Sequence, residues 1–87
     1  MTKVYSKKDE YGNIRWYKTG TNLLHREDGP ALEWNDGTKW WYQNDRRHRT
    51  DGPAIEYING FKYYYLNGKY YPDIKTDKEW IIFQIIN

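Results

Sequence analysis

His25-Arg26-Glu27-Asp28-Gly29-Pro30-Ala31-Leu32-Glu33 returns 23 residues further on as His48-Arg49-Thr50-Asp51-Gly52-Pro53-Ala54-Ile55-Glu56. Self-similarity at a short fixed period signals one supersecondary unit stacked on copies of itself. A residue present in every unit is there to build the unit, so function is sought in the surfaces between and around the copies. Outward from the two copies, three segments align by their turn residues: Gly12–Gly20, Gly37–Asp45 and Gly60–Gly68. The connection from Gly20 to His25 is two residues longer than that from Asp45 to His48 and is therefore looser. Where a third copy would fall stands Tyr70-Tyr71-Pro72-Asp73. Terminal repeats are commonly atypical because they cap the stack.

Each unit reads as a β-hairpin. Ala31–Asn35 and Thr38–Gln43 flank Asp36-Gly37, and Ala54–Ile58 and Phe61–Leu66 flank Asn59-Gly60. Both dipeptides suit the left-handed positions of a two-residue type I′ turn. Lys3–Lys8 and Asn13–Lys18 form the first hairpin around Asp9–Gly12. The expected fold is mainly β: an antiparallel meander of about six to seven strands, built from stacked hairpin repeats. The units run approximately 3–30, 31–53 and 54–75 within one domain, 1–87. In the tail, 76–87, Thr76-Asp77-Lys78-Glu79 matches a capping box, with Thr76 as N-cap. That predicts a short C-terminal helix covering one face; the isoleucines that follow make a final strand the competing reading.

Composition narrows the class. The chain of 87 residues is close to the lower size at which one core suffices. There is no cysteine, which excludes disulfides and thiolate metal sites and favours a reducing, cytoplasmic compartment. Nothing reads as a signal peptide or membrane span. The net charge of +2 excludes an acidic nucleic-acid mimic and gives little support to nucleic-acid binding. Ten Tyr, five Trp and two Phe make the chain 20% aromatic, so rings must supply most of the buried area.

Pairing across two-residue turns sorts the side chains by face, since alternate residues share one. One face collects Leu32, Trp34, Trp41, Ile55, Tyr57 and Tyr64, with Trp16 aligned to them. It holds the aliphatics and no carboxylate, and is expected to be the core. The other collects Ala31, Glu33, Trp40, Tyr42, Ala54, Glu56, Tyr63 and Tyr65, with Arg15 and Tyr17 from the first unit. Exposed aromatic surface marks an interaction site, and Tyr, Trp and Arg are enriched at binding hot spots. Cross-strand ladders that merely stabilise a solvated sheet are the plain alternative.

The repeated motif places a His, an Arg and an Asp within four residues, yet turn chemistry accounts for it. Asp28 and Asp51 can accept backbone N–H bonds, Gly29 and Gly52 permit unusual φ, and Pro30 and Pro53 fix the chain entering the next strand. Arg26 and Arg49 are expected to pair with the aspartates or cap carbonyls, and the His rings to pack at the seam between units. An enzyme seldom needs its catalytic set twice in so short a chain. His25 and His48, one unit apart, are separated by roughly 10 Å, too far to share a metal. No catalytic residue, cofactor or metal is expected, and the chain reads as a non-enzyme. Arg46-Arg47-His48-Arg49 is the one basic run, and neighbouring Asp45, Asp51, Glu27 and Asp28 dilute it.

His-Arg-x-Asp-Gly-Pro-Ala followed by a Trp/Tyr-rich strand and Asn-Gly resembles the short repeat proteins of phages, giant viruses and some bacteria, similar in style to MORN-type repeats. Residues 12–71 carry the resemblance; Tyr71-Pro72-Asp73 departs from it. The resemblance implies a β-repeat sheet, often followed by a short helix, and no known catalysis.

The expected function is non-catalytic protein binding through the aromatic face. In a phage-like setting this suits a small inhibitor or adaptor acting on a host protein in the host cytoplasm. Trp40, Tyr42, Tyr63 and Tyr65 are the expected anchors, with Arg15, Tyr17, Glu33 and Glu56 fixing register. Two alternatives remain: a nucleic-acid-binding module using Arg46, Arg47 and Arg49 beside the same rings, and a self-associating structural protein.

Overall fold

A computed structural model of the chain describes residues 2–87. Among these residues ten strands precede one helix: β1 (Val4–Lys8), β2 (Ile14–Lys18), β3 (Leu32–Glu33), β4 (Lys39–Trp40), β5 (Tyr42–Gln43), β6 (Arg46–Arg47), β7 (Ile55–Glu56), β8 (Lys62–Tyr63), β9 (Tyr65–Leu66), β10 (Lys69–Tyr70) and α1 (Asp77–Ile86). The main sheet has the order β1-β2-β3-β4-β7-β8, antiparallel throughout. Each long expected strand breaks at its middle aromatic, Trp41 or Tyr64, and its second half forms a separate ribbon, β5-β6 or β9-β10. The result is a meander of hairpins with a short helix. Its smallest dimension is 17 Å, so both faces of the sheet lie near water.

The turns differ from the expectation, and the difference changes which residues share a face. Gly37 N–H donates to Trp34 O and Trp34 N–H to Thr38 O; Gly60 and Tyr57 repeat both bonds with Tyr57 O and Phe61 O. Only the glycine of each turn takes a positive φ, +97° at Gly37 and +94° at Gly60. These are three-residue loops with a glycine bulge, and Asp9–Gly12 is a third. Asp36 and Asn59 keep negative φ because each side-chain oxygen accepts the N–H two residues on, from Thr38 and Phe61. The two-residue type I′ pattern occurs instead at Asn44-Asp45 and Asn67-Gly68, where both positions have positive φ.

The extra loop residue slides the register by one. Leu32 lies opposite Trp40 and Ile55 opposite Tyr63, while Glu33 faces Lys39 and Glu56 faces Lys62. A one-residue slip sends every side chain of the shifted strand to the other face. Leu32, Trp34, Ile55 and Tyr57 therefore belong with Arg15, Tyr17, Trp40, Tyr42, Tyr63 and Tyr65. Glu33 and Glu56 belong with Trp16, Trp41 and Tyr64, which corrects the expected placement of the glutamates beside the rings. Ala31 and Ala54, expected at the wet face, are fully buried.

The repeated motif builds the seam. Trp16 N–H donates to Ala31 O and Trp41 N–H to Ala54 O, each at 2.7 Å. His25 Nδ1 accepts the Asn44 N–H at 2.9 Å, and His48 Nδ1 accepts that of Asn67 at 3.0 Å, so each imidazole ties its unit to the next. The Arg26 guanidinium lies 4.1 Å from the Trp16 ring centre and that of Arg49 lies 3.8 Å from Trp41. Each donates to the following proline carbonyl and to the motif aspartate. Gly29 and Gly52 do not take left-handed φ. They are glycine because a Cβ there would stand 2.8 and 2.9 Å from the Arg26 and Arg49 Cζ atoms. Among the described residues, Asp28 and Asp51 accept from arginine and not from the backbone.

The third unit ends the stack by substitution. Tyr71 N–H bonds Tyr64 O, the place held by His25 on Trp16 and His48 on Trp41. Phe61 stands where Asn13 and Thr38 accept an N–H from the next turn. Thr76 Oγ1 caps α1 by accepting the Glu79 N–H, while Glu79 takes the Lys75 N–H and the Thr76 hydroxyl. The helix drives Trp80, fully buried, against Tyr64 and Tyr71, and its Nε1 donates to Arg49 O at 2.9 Å. Ile81, Ile82, Ile85 and Ile86 are exposed. No helix among the described residues is long and apolar enough to cross a membrane.

Candidate functional site: the aromatic and arginine face

The slipped register gathers onto one face more rings than the sequence placed there. Trp34 meets Trp40 edge-on with centroids 5.4 Å apart. Trp40 meets Tyr57 at 6.5 Å, Tyr57 meets Tyr63 at 5.9 Å, and both contacts are close to perpendicular. Tyr63 continues to Tyr70, and Tyr70 to Tyr65 at 5.2 Å. Edge-to-face geometry sets the positive ring edge against the negative ring face, adding about 0.5–1.5 kcal/mol per pair beyond burial. The row crosses from the second unit to the third without a gap. Leu32 and Ile55, on this same face, are buried; Trp40, Tyr42, Tyr63 and Tyr65 are half-buried, and Tyr57 and Tyr70 are exposed.

Arg47 closes the row into a cluster. Its Cζ lies 5.4 Å from the Trp40 centroid and 5.4 Å from that of Tyr65, bridging rings of neighbouring units. Tyr42 lies 6.5 Å from Trp40, and Arg15 sits 5.9 Å from the Trp34 ring at the far end. Trp34 Nε1, Trp40 Nε1 and Arg47 Nε are buried with no hydrogen-bond partner among the described residues. An unmet buried donor costs about 1–3 kcal/mol.

The expected site residues separate into three groups. Arg15, Trp40, Tyr42, Tyr63 and Tyr65 come together with Arg47. Tyr17 joins Tyr5 in a smaller patch, ring centroids 5.6 Å apart, with Lys7 over both. Glu33 and Glu56 lie on the opposite face, 3.5 Å from Arg26 and 3.7 Å from Arg49. The basic run is likewise dispersed: Arg46 is exposed, Arg47 belongs to the rings, and Arg49 is held over Trp41. Trp34, Tyr57 and Tyr70 escaped the sequence reading. The signal was present in the loops, since Trp34-Asn-Asp-Gly and Tyr57-Ile-Asn-Gly also suit three-residue turns.

On the opposite face, a cleft of about 360 Å³ runs between the two copies of the motif, lined by Glu27, Asp28, Trp41, His48, Arg49 and Asp51 among others. Burial holds His48 below its ordinary pKa of 6.5. Burial and the hydrogen bond to Asp77, at 2.7 Å, push the Tyr64 hydroxyl well above the ordinary tyrosine range. No group of three or more His, Cys, Asp or Glu with metal-binding geometry occurs among the described residues. No protein-family model, curated protein or solved structure matches the chain.

Proposed function

We propose that the protein is a non-catalytic interaction module that docks a protein partner on the face formed by Trp34, Trp40, Tyr57, Tyr63, Tyr65 and Arg47. The observation that carries this reading is the continuity of half-exposed rings across two units, with the Arg47 guanidinium set between them. A partner bringing apolar groups would cover the rings, and an acidic group on it would complement the Arg47 charge set between them. The mode of action is steric, as in a small adaptor or inhibitor. The test is capture of partners from host lysate with the wild-type chain, Arg47→Glu and Arg46→Glu. Arg47→Glu is expected to lose the partner and Arg46→Glu to keep it; equal capture by both sinks the reading. Raising salt from about 50 to about 200 mM separates this from nucleic-acid binding, which collapses by orders of magnitude as counterion release is lost.

A second reading, self-association, is favoured by the exposed Ile81, Ile82, Ile85 and Ile86 on α1. Sedimentation of the wild type and of Ile82→Lys at several concentrations tests it. A monomer at all of them excludes it.

A further inference from the structure

The main sheet ends on β8, and no strand among the described residues pairs its outer edge. The chain itself shows what such an edge accepts. On β2 lies Leu32-Glu33, with Arg15 opposite Leu32 and Ile14 opposite Glu33. On β4 lies Ile55-Glu56, with Trp40 opposite Ile55 and Lys39 opposite Glu56. In both, an aromatic residue follows the glutamate. By the same register the vacant place beside β8 sets an aliphatic residue opposite Tyr63 and a glutamate opposite Lys62.

The backbone is directed for this pairing. Tyr63 O accepts from Ala54 N–H and Phe61 O from Tyr57 N–H, so both residues turn their main chain toward β7. Alternation along a strand then turns the Lys62 N–H and C=O outward. A groove of about 330 Å³ follows this edge, lined by Gly60, Phe61, Lys62, Tyr63, Ile74 and Lys75 among others, so that two of its lining residues are lysines. Toward Tyr64 the edge is closed, since that residue is buried beneath Trp80 and bonded to Asp77. The open length is short, but β3, β4, β7 and β8 are themselves two residues each.

We propose that the free edge of β8 binds an extended segment of another protein, of the form aliphatic–Glu–aromatic, added as the next strand of the sheet. The glutamate exchanges two main-chain hydrogen bonds with Lys62 and places its carboxylate near Lys62 and Lys75. The aromatic extends the ring row over Tyr63 as Tyr57 extends it over Trp40. Strand addition of this kind takes affinity from the main chain and specificity from alternate side chains. The proposal does not rest on the ring face as the principal docking surface.

The probe is an acetylated, amidated peptide with the sequence of residues 54–58, titrated into the isotopically labelled full chain and followed by amide shifts. Saturable shifts are expected at Gly60–Tyr63, Ile74 and Lys75, with slowed exchange of the Lys62 amide. Lys62→Pro removes the outward N–H while sparing the bonds to β7, and proline is tolerated on an edge strand. It is expected to weaken binding about tenfold or more. A peptide N-methylated at its glutamate should fail to bind the unaltered chain, which keeps the test intact if Lys62→Pro does not fold. Arg47→Glu should leave peptide binding within about twofold, so failure of the ring face is distinguishable from failure of the edge. Absence of saturable shifts, shifts confined to Val4–Lys8 on the other edge, or equal binding of the methylated peptide would overturn the proposal.

Discussion

At Gly29 and Gly52 a missing Cβ holds an arginine in place. Arg49 reaches the Trp41 face, Asp51 and Pro53 O only because nothing projects from Gly52 into its path. Gly52→Ala is expected to displace the guanidinium and cost about 1–2 kcal/mol in urea unfolding, as lost ring and hydrogen-bond contacts imply. Arg49→Lys should fall in the same range, because an ammonium cannot lie flat on the indole while donating in two directions. His48 is sensitive to pH. Its Nδ1 accepts the Asn67 N–H, so a proton there destroys the bond, and burial also opposes the charge. Above the ordinary pKa of 6.5 the ring is neutral in both folded and unfolded chains, and its stabilising bond is intact. As pH falls from there through the lower folded pKa, the unfolded chain takes the proton first and stability is lost. The thermal midpoint should therefore drop between about pH 7.5 and about pH 5, and drop less in His48→Gln.

The helix shows what one residue does for an element. Ten residues make only a marginal helix in water, so α1 depends on its cap and on docking. Docking runs chiefly through Trp80, which stacks with Phe83 inside the helix and meets Tyr64 and Tyr71 below it at a tilt. Trp80→Ala should cost about 3–5 kcal/mol and remove the helical circular-dichroism signal, in line with large core truncations. Trp80→Phe keeps the ring but loses the donor to Arg49 O, and should cost less. Ile85→Lys, on the exposed side, should stay within about 0.5 kcal/mol. A large loss there with Trp80→Ala well tolerated would reverse the assignment of the buried side. The cap was legible because Thr76 and Glu79 are specific in type and spacing. The hairpin register was not, because Asp-Gly and Asn-Gly serve two kinds of turn. One extra loop residue at Asn35 or Ile58 moved Leu32, Trp34, Ile55 and Tyr57 across the sheet. The strands that leave the loops kept their expected parity, which is why Trp40, Tyr42, Tyr63 and Tyr65 still fell together.

At the scale of the molecule, the repeat made the architecture readable, because identical motifs must make identical contacts. What the repeat could not reveal lay where copies diverge: Tyr71 for His, Phe61 for an acceptor, and an indole beneath α1 in place of a fourth unit. The three hairpin units bond in order along the stack, and α1 bonds the third unit and, through Arg49 O and Thr50 O, the second, so stability should be the sum of unit and interface contributions. Loss of the cap must then be felt in order of distance from it. In Trp80→Ala, native-state hydrogen exchange should accelerate most at the Tyr71 amide, which bonds Tyr64 O, and at Asn67, which bonds His48. The Trp16 amide bonded to Ala31 O and the His25 amide bonded to Trp16 O should change about tenfold less, since opening at one end leaves the other closed. The contrary result, equal acceleration at Trp16 and Tyr71, would mean that the layer opens as one cooperative body. The thinness of the sheet argues for the graded outcome, because no deep core spans the units to make them fail together.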